Sequence, residues 1–382
     1  MNNNPLDSSS QPQHLPLPGS GPVWFPSVMG TGILANLLQI HAERLPGAHD
    51  LALAILIVAW ALLLFLSVGF IVRVMRDPQV FTASVRAMAA LPFWSTVSMG
   101  YLSVGSASTV VIPSYLPQWH DSIWVVNTWM WVFGTVVGVS TALVFAFRLI
   151  GVDRGDPTTV WGLAVVGPMV SSTTGANLAA HVPHGVVLWL QVASAACFFL
   201  SFYAGAVIFS CAYHHFWRVA TIPVAASASA WIPLGMVGQS AAAAQAMALQ
   251  AEHVLVQGFG QSVHQIAHTY GWIMVVVGIP MVAWACAVTL RGFRKRMPFS
   301  PGWWALTFPI GTLALGGYVA WCGYSDSTLG VAGCGGDVVP CGDGDVVLGG
   351  VGTRGAAWVA DLRMMGACEV LHGSTCMAAH DC

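Results

Sequence analysis

Charge is what this chain has least of. Only 7% of its 382 residues are Asp, Glu, Lys or Arg, against about 25% in soluble domains, which excludes an ordinary soluble fold. No basic stretch with interleaved aromatics is present, so nucleic acid drops out as a partner. Residues 1–22 contain no Lys or Arg and no apolar core, which excludes a cleavable signal. "MNNNPLDSSSQPQHLPLPGSGP" reads instead as a disordered cytoplasmic tail. Enzyme signatures are missing as well. Gly30-Thr31-Gly32 follows no strand and precedes no phosphate-binding Lys, and neither HExxH nor a nucleophile elbow occurs. No enzyme and no cofactor are expected.

What the chain does have is apolar length. Hydrophobic residues make up 56% of it, and mean hydropathy is +0.71. Charge-free apolar segments fall at residues 24–40, 51–72, 92–113, 123–147, 160–180, 185–212, 231–250, 269–290 and 303–322. Each is near or above the roughly 20 residues that cross a bilayer. A backbone in lipid must satisfy itself, so the segments are helices. Strands of a membrane barrel would be about half as long and would alternate strictly. The expectation is an all-α integral membrane protein in contact with the lipid bilayer.

Basic residues set the orientation. Arg73, Arg76, Arg86, Arg148, Arg154, Arg218, Arg291, Arg294, Lys295 and Arg296 all follow even-numbered segments. Before the C-terminal tail, the opposite loops hold only Arg44. Basic loops stay on the cytoplasmic side, which places the N-terminus in the cytoplasm and the protein in an inner, multi-pass cell membrane.

The odd segments share a second feature. "WFPSVMGTGIL", "FWSTVSMGYLSVGSAST", "WGLAVVGPMVSSTTGA", "WIPLGMVGQSAAA" and "WWALTFPIGTLALGG" each open on an aromatic residue, then mix Gly or Pro with small and hydroxylated residues. Trp24, Trp94, Trp161, Trp231 and Trp303 lie 70, 67, 70 and 72 residues apart. A period this regular marks a repeated unit, here a two-helix hairpin. Most even segments are bulky and free of Pro, and suit lipid. The odd helices are therefore expected as an inner ring with the even ones outside.

Two readings of the small residues stay open: close helix packing, or irregular backbone and hydroxyls lining a conduit. On the second, Ser27, Gly30, Thr31, Gly32, Ser98, Gly100, Ser171, Ser172, Gly235, Gly238, Ser240, Pro309, Gly311 and Thr312 are the candidate lining residues.

The cores of the segments carry no charge, which argues against a buried Asp/Glu relay or an acidic cation path. A neutral path with a basic mouth suits small anions. His264 and His268 share a helix face at i, i+4, near His253, His181 and His184, but no Cys or acidic partner has ligand spacing, and no metal is expected. His214 and His215 read as interfacial anchors. Cys197, Cys211 and Cys286 read as packing residues within or at the ends of apolar runs.

"FPSVMGTGI", "WIPLGMVGQSA" and "WWALTFPIGTLAL" resemble the tellurite-resistance/C4-dicarboxylate transporter family, which includes malate permeases, sulfite efflux pumps and plant slow anion channels; the resemblance covers roughly residues 22–322. It implies ten helices as five hairpins around a central pore, in a homotrimer that moves malate, sulfite, tellurite or chloride-type anions. It also implies a pore-blocking aromatic residue on the ninth helix, at the position of Phe308. A ring beside a Pro-disturbed helix suits an apolar gate. A proton-coupled dicarboxylate carrier and a non-transporting scaffold or sensor are the alternatives.

From about residue 323 the pattern breaks. Residues 323–382 are rich in Gly, Asp and Cys and hold no apolar run long enough to span. The spacing of the six cysteines from Cys322 onward matches no zinc site. The expected cause is a shifted reading frame, which leaves nine readable spans and loses the tenth. Translating the other frames downstream of codon 322 is expected to reveal an apolar span of about 20 residues; two frames without one would defeat this explanation.

Overall fold

A computed structural model describes residues 19–150, 155–251 and 259–329, and the elements there are helices joined by turns. In chain order they include α1 (Phe25–Ile40), α2 (Ala48–Arg76), α3 (Gln79–Arg86), α4 (Phe93–Tyr115), α5 (His120–Leu149), α6 (Leu163–Leu178), α7 (His184–Arg218), α8 (Ile232–Ala251), α9 (Phe259–Arg294) and α10 (Phe308–Leu329). The last helix runs past residue 322 to Leu329. The rest of the tail, with Arg154 and His253, lies outside the described residues.

The helices form two layers. α1 packs on α4, α4 on α6, α6 on α8, α8 on α10, and α10 closes back on α1. Each remaining long helix covers one seam of this ring: α2 lies against α1 and α4, α5 against α4 and α6, α7 against α6 and α8, and α9 against α8 and α10. Leu34 of α1 and Ile310 of α10 are left 45% and 40% exposed. The inner and outer sets are the odd and even segments expected from the repeat. Short α3, between α2 and α4, is an addition that hydropathy does not signal.

Composition explains the layering. Outer helices expose large apolar side chains such as Phe65, Trp129, Phe199 and Tyr203, as a hydrocarbon solvent favours. In α6 every residue except Asn177 is buried. Among the described residues, five helices reach the length and hydropathy of a membrane span by composition alone: those built on α1, α2, α5, α7 and α9. The expected spans α4, α6, α8 and α10 fall below that level. Gly, Ser and Thr replace Leu and Val there, because outer helices rather than lipid cover them.

Each inner helix is entered through a tight turn that carries its Trp anchor. Trp24, Trp161, Trp231 and Trp303 lie in 3₁₀ segments Pro22–Trp24, Thr159–Gly162, Val224–Trp231 and Pro301–Leu306. Before α4 the same spacing appears as Phe93 N–H to Ala90 and Trp94 N–H to Leu91, both 3.0 Å. Pro26, Pro233 and Pro309 are the second residues of α1, α8 and α10. In a first turn the missing N–H has no helical partner to lose, and the fixed φ helps. These prolines start helices; they do not kink them.

Glycine then sets how closely the inner helices approach. A Cβ at Gly238 of α8 would collide with the backbone of Thr312 and Leu313, and one at Gly316 of α10 would strike the Gly238 carbonyl. A Cβ at Gly32 would likewise come within 2.7 Å of Ser103 Oγ and 3.0 Å of the Ser103 backbone. A Cβ at Gly317, one residue along α10, would meet nothing within 4 Å.

This contrast gives a signed prediction for thermal unfolding in detergent. Gly238→Ala is expected to lower stability by about 1–3 kcal/mol through overpacking. Gly317→Ala is expected to be neutral or stabilising by up to about 1 kcal/mol through helix propensity. Equal effects would contradict the packing described.

Candidate functional site

Hydrogen bonds between inner helices recur at the repeat spacing. The Asn36 amide donates to Ser106 Oγ at 3.1 Å, the Gly167 N–H to Ser95 Oγ at 3.0 Å, and the Gln239 amide to Thr173 Oγ1 at 2.7 Å. Thr159 Oγ1 donates to Ser229 Oγ at 2.7 Å in the entry turns. At the Arg-rich end, Arg73 Nη1 donates to the Ser20 carbonyl at 2.9 Å, Arg148 Nη1 to Val85 at 2.6 Å, and Arg291 Nη2 to Ile222. Guanidinium groups thus fasten the loops of that face while keeping it positive.

The candidate lining residues are found mostly on seams. Ser27 Oγ donates to its own helix at Trp24 (2.7 Å), and Thr31 Oγ1 to Ser27 and Val28 (both 3.0 Å). Gly30 faces Thr307 and Trp304, Gly32 faces Ser103, Gly100 faces Phe25 and Val28, and Gly311 faces Ile33 and Leu37. Gly235 lies on Pro309, and Gly238 on Thr312 and Leu313. Ser98 Oγ is buried without a hydrogen-bond partner, beside Gly138 and Gly167. Ser171 Oγ donates to Gly167 (3.4 Å), Ser172 Oγ to Met247 Sδ (3.8 Å), Ser240 Oγ to Val237 (3.0 Å) and Thr312 Oγ1 to Pro309 (3.0 Å). The glycines are where helices meet, as close packing requires.

The faces left over point to the centre of the ring. On α1, Phe25, Val28 and Gly32 meet α4, and Gly30, Ile33 and Leu37 meet α10 and its entry turn. Leu34 is exposed on the outside. At 3.6 residues per turn, Met29 and Asn36 occupy the remaining side. By the same reckoning α4 turns Met99 and Ser106 inward, α6 turns Val166 and Thr173, and α10 turns Phe308.

Phe308 is 2% exposed and belongs to one buried apolar cluster with Met29, Met99, Val166 and Met236. These five stand at one register, each the fifth residue after its Trp anchor. Met236 breaks the symmetry: its sulfur accepts from Ser201 Oγ at 3.6 Å and its methyl group lies over Gly205, both on outer helix α7. The same cluster extends to Phe145 and Phe209 of the outer helices. The repeat period, applied to the residues behind each Trp, is the signal that locates them in the sequence.

Asn36, Ser106 and Thr173 share a second register, twelve residues after the anchors. At 1.5 Å per residue that is about 10 Å beyond the apolar level. His264 and His268 are at the start of α9, where His268 Nε2 accepts from Trp272 at 3.2 Å. Among the described residues no three His, Cys, Asp or Glu side chains converge as a metal site.

Comparison with known proteins fits this architecture. The family described as SLAC1, voltage-dependent anion channel, matches residues 20–335. The sulfite efflux pump SSU1 of Arthroderma otae is 26% identical over 306 residues, covering 76% of this chain and 78% of the relative. The same protein from Trichophyton rubrum matches at 26% over the same length and shares. An uncharacterized transporter of Methanocaldococcus jannaschii is 23% identical over 302 residues, covering 75% of this chain and 81% of its own.

Proposed function

Because this chain belongs to the SLAC1 family of voltage-dependent anion channels and transports anions across the membrane, we propose that the anions pass through the centre of the five-helix ring and that Phe308 is the gate. The observation that carries this reading is the common register of Met29, Met99, Val166 and Phe308, all buried within one apolar cluster. An apolar constriction excludes water and hydrated ions until its side chains move. No acid lies on the inner face at either register, so the path is read as passive or potential-driven.

The basic face supports a cytoplasmic N-terminus in the inner membrane, by the bias of Lys and Arg toward that side. The same arginines raise local anion concentration at the mouth. Assembly as a homotrimer belongs to this proposal. So does a domain division into a tail at 1–22, a transport domain at 23–322 and an aberrant tail from 323. Sulfite is the first substrate to test, since two of the fungal relatives are sulfite efflux pumps; malate, tellurite and chloride follow.

Flux of sulfite and chloride into proteoliposomes tests the path. Phe308→Ala and Met99→Ala are each expected to raise flux about tenfold or more by widening the constriction. Met236→Ala is expected to lower stability by about 2–5 kcal/mol without raising flux, because its side chain is turned to α7. Equal gains in all three, or none in Phe308→Ala, would overturn the gate.

A further inference from the structure

We infer that Asn36 and Gln239, each held by a hydroxyl of the next inner helix, form a neutral anion-coordinating girdle beyond the Phe308 constriction. This inference rests on the central path proposed above and names the site along it. The two pairs are built alike. Asn36 Nδ2 of α1 donates to Ser106 Oγ of α4 at 3.1 Å, and Gln239 Nε2 of α8 donates to Thr173 Oγ1 of α6 at 2.7 Å. Four of the five inner helices thus contribute one polar group each. Gln239 and Thr173 are 4% and 6% exposed. Holding a carboxamide in place inside an apolar ring requires such a partner, because a polar group buried alone is costly.

An –NH₂ group has two N–H donors. The hydroxyl contact occupies one of them and fixes the plane of the amide, so the other is held ready for a ligand. Each hydroxyl accepts the amide proton; Thr173 Oγ1 gives its own proton to the Met169 carbonyl at 3.3 Å, while Ser106 keeps one O–H to donate. Two amide–hydroxyl pairs therefore offer two N–H donors and the Ser106 O–H around the conduit, with no cation among them. A carboxylate in place of either amide would repel the anion.

Neutral donors suit conduction. A binding site on a conduction path must replace part of the hydration shell without holding the ion too tightly to leave. A buried Arg or Lys would bind an anion far more strongly and slow its exit. Absence of a counter-charge also sets the ligand class. The penalty for removing an ion from water rises steeply with its charge, and three neutral donors compensate one negative charge better than two. The ligand is therefore a small singly charged anion such as nitrate, chloride or hydrogensulfite, and a dicarboxylate dianion is disfavoured.

The test uses the full chain in proteoliposomes, in a Phe308→Ala background so that the constriction does not mask the site. Nitrate and malate fluxes are measured against concentration at neutral pH. Gln239→Met and Asn36→Leu are each expected to raise the half-saturating nitrate concentration about tenfold, as loss of a hydrogen bond to a charged ligand implies. Gln239→Glu, of nearly the same size, is expected to abolish nitrate flux, and Thr173→Ser to retain it. Only variants that elute like the parent on size exclusion are scored, and Gln239→Asn replaces any that do not. If Phe308→Ala transports no anion at all, the central path and the girdle both fall. If it transports nitrate and the polar substitutions leave half-saturation and the nitrate-to-malate ratio unchanged, the girdle alone is overturned.

Discussion

Backbone-to-backbone contact between the inner helices is the constraint on which the rest of this structure depends. At Gly238 and Gly316 α8 and α10 cross with no room for a side chain, and at Gly32 α1 meets the backbone of Ser103. Between helices in lipid, association rests on van der Waals packing and interhelical hydrogen bonds rather than on expulsion of water, so such close approach is what draws the ring shut. Once the seams are narrow, each inner helix has one remaining side toward the centre. The residues there, rather than the glycines, decide what the middle of the ring contains.

That division explains the character of each layer. Outer helices bear the contact with hydrocarbon and so carry exposed Phe, Trp and Tyr. Inner helices are freed from that demand and can hold Ser, Thr, Asn and Gln, most of them with a hydrogen-bond partner. Many hydroxyls bond to their own helix, as at Ser27, Thr31 and Thr312; others join neighbouring helices, as at Ser95 and Ser106. Trp-bearing turns open each inner helix, and arginines fasten the segments before α1, α4 and α8. Equivalent residues of different repeats consequently reach the same level.

Much of this was legible in the sequence because it depends on composition along the chain. Long apolar runs, the spacing of the Trp anchors and the alternation of bulky and small segments led to the two layers and to the ring. Rotation of each helix about its own axis was not legible, since small residues on inner helices occur on every side. Thr31, a lining candidate, makes both its hydrogen bonds to its own helix. Gly30 and Gly238 looked like disturbances beside a conduit and are contact points between helices. Met236 shares the register of Met29 and Met99 but is drawn to Ser201 and Gly205 of α7, a tertiary effect that no repeat reveals. Prolines at helix starts and prolines at kinks also look alike until the helix boundary is known.

The central claim is that the conducting surface is the face bearing Met29 and Asn36, opposite the side marked by Leu34. Thiol accessibility tests it most directly. In a background with the native cysteines replaced by serine and Phe308 by alanine, Asn36→Cys and Thr31→Cys are each exposed to a water-soluble, charged thiol reagent while anion flux is recorded. Modification at position 36 is expected to block flux, and modification at position 31 to leave it unchanged. Block at 31 with none at 36 would contradict it.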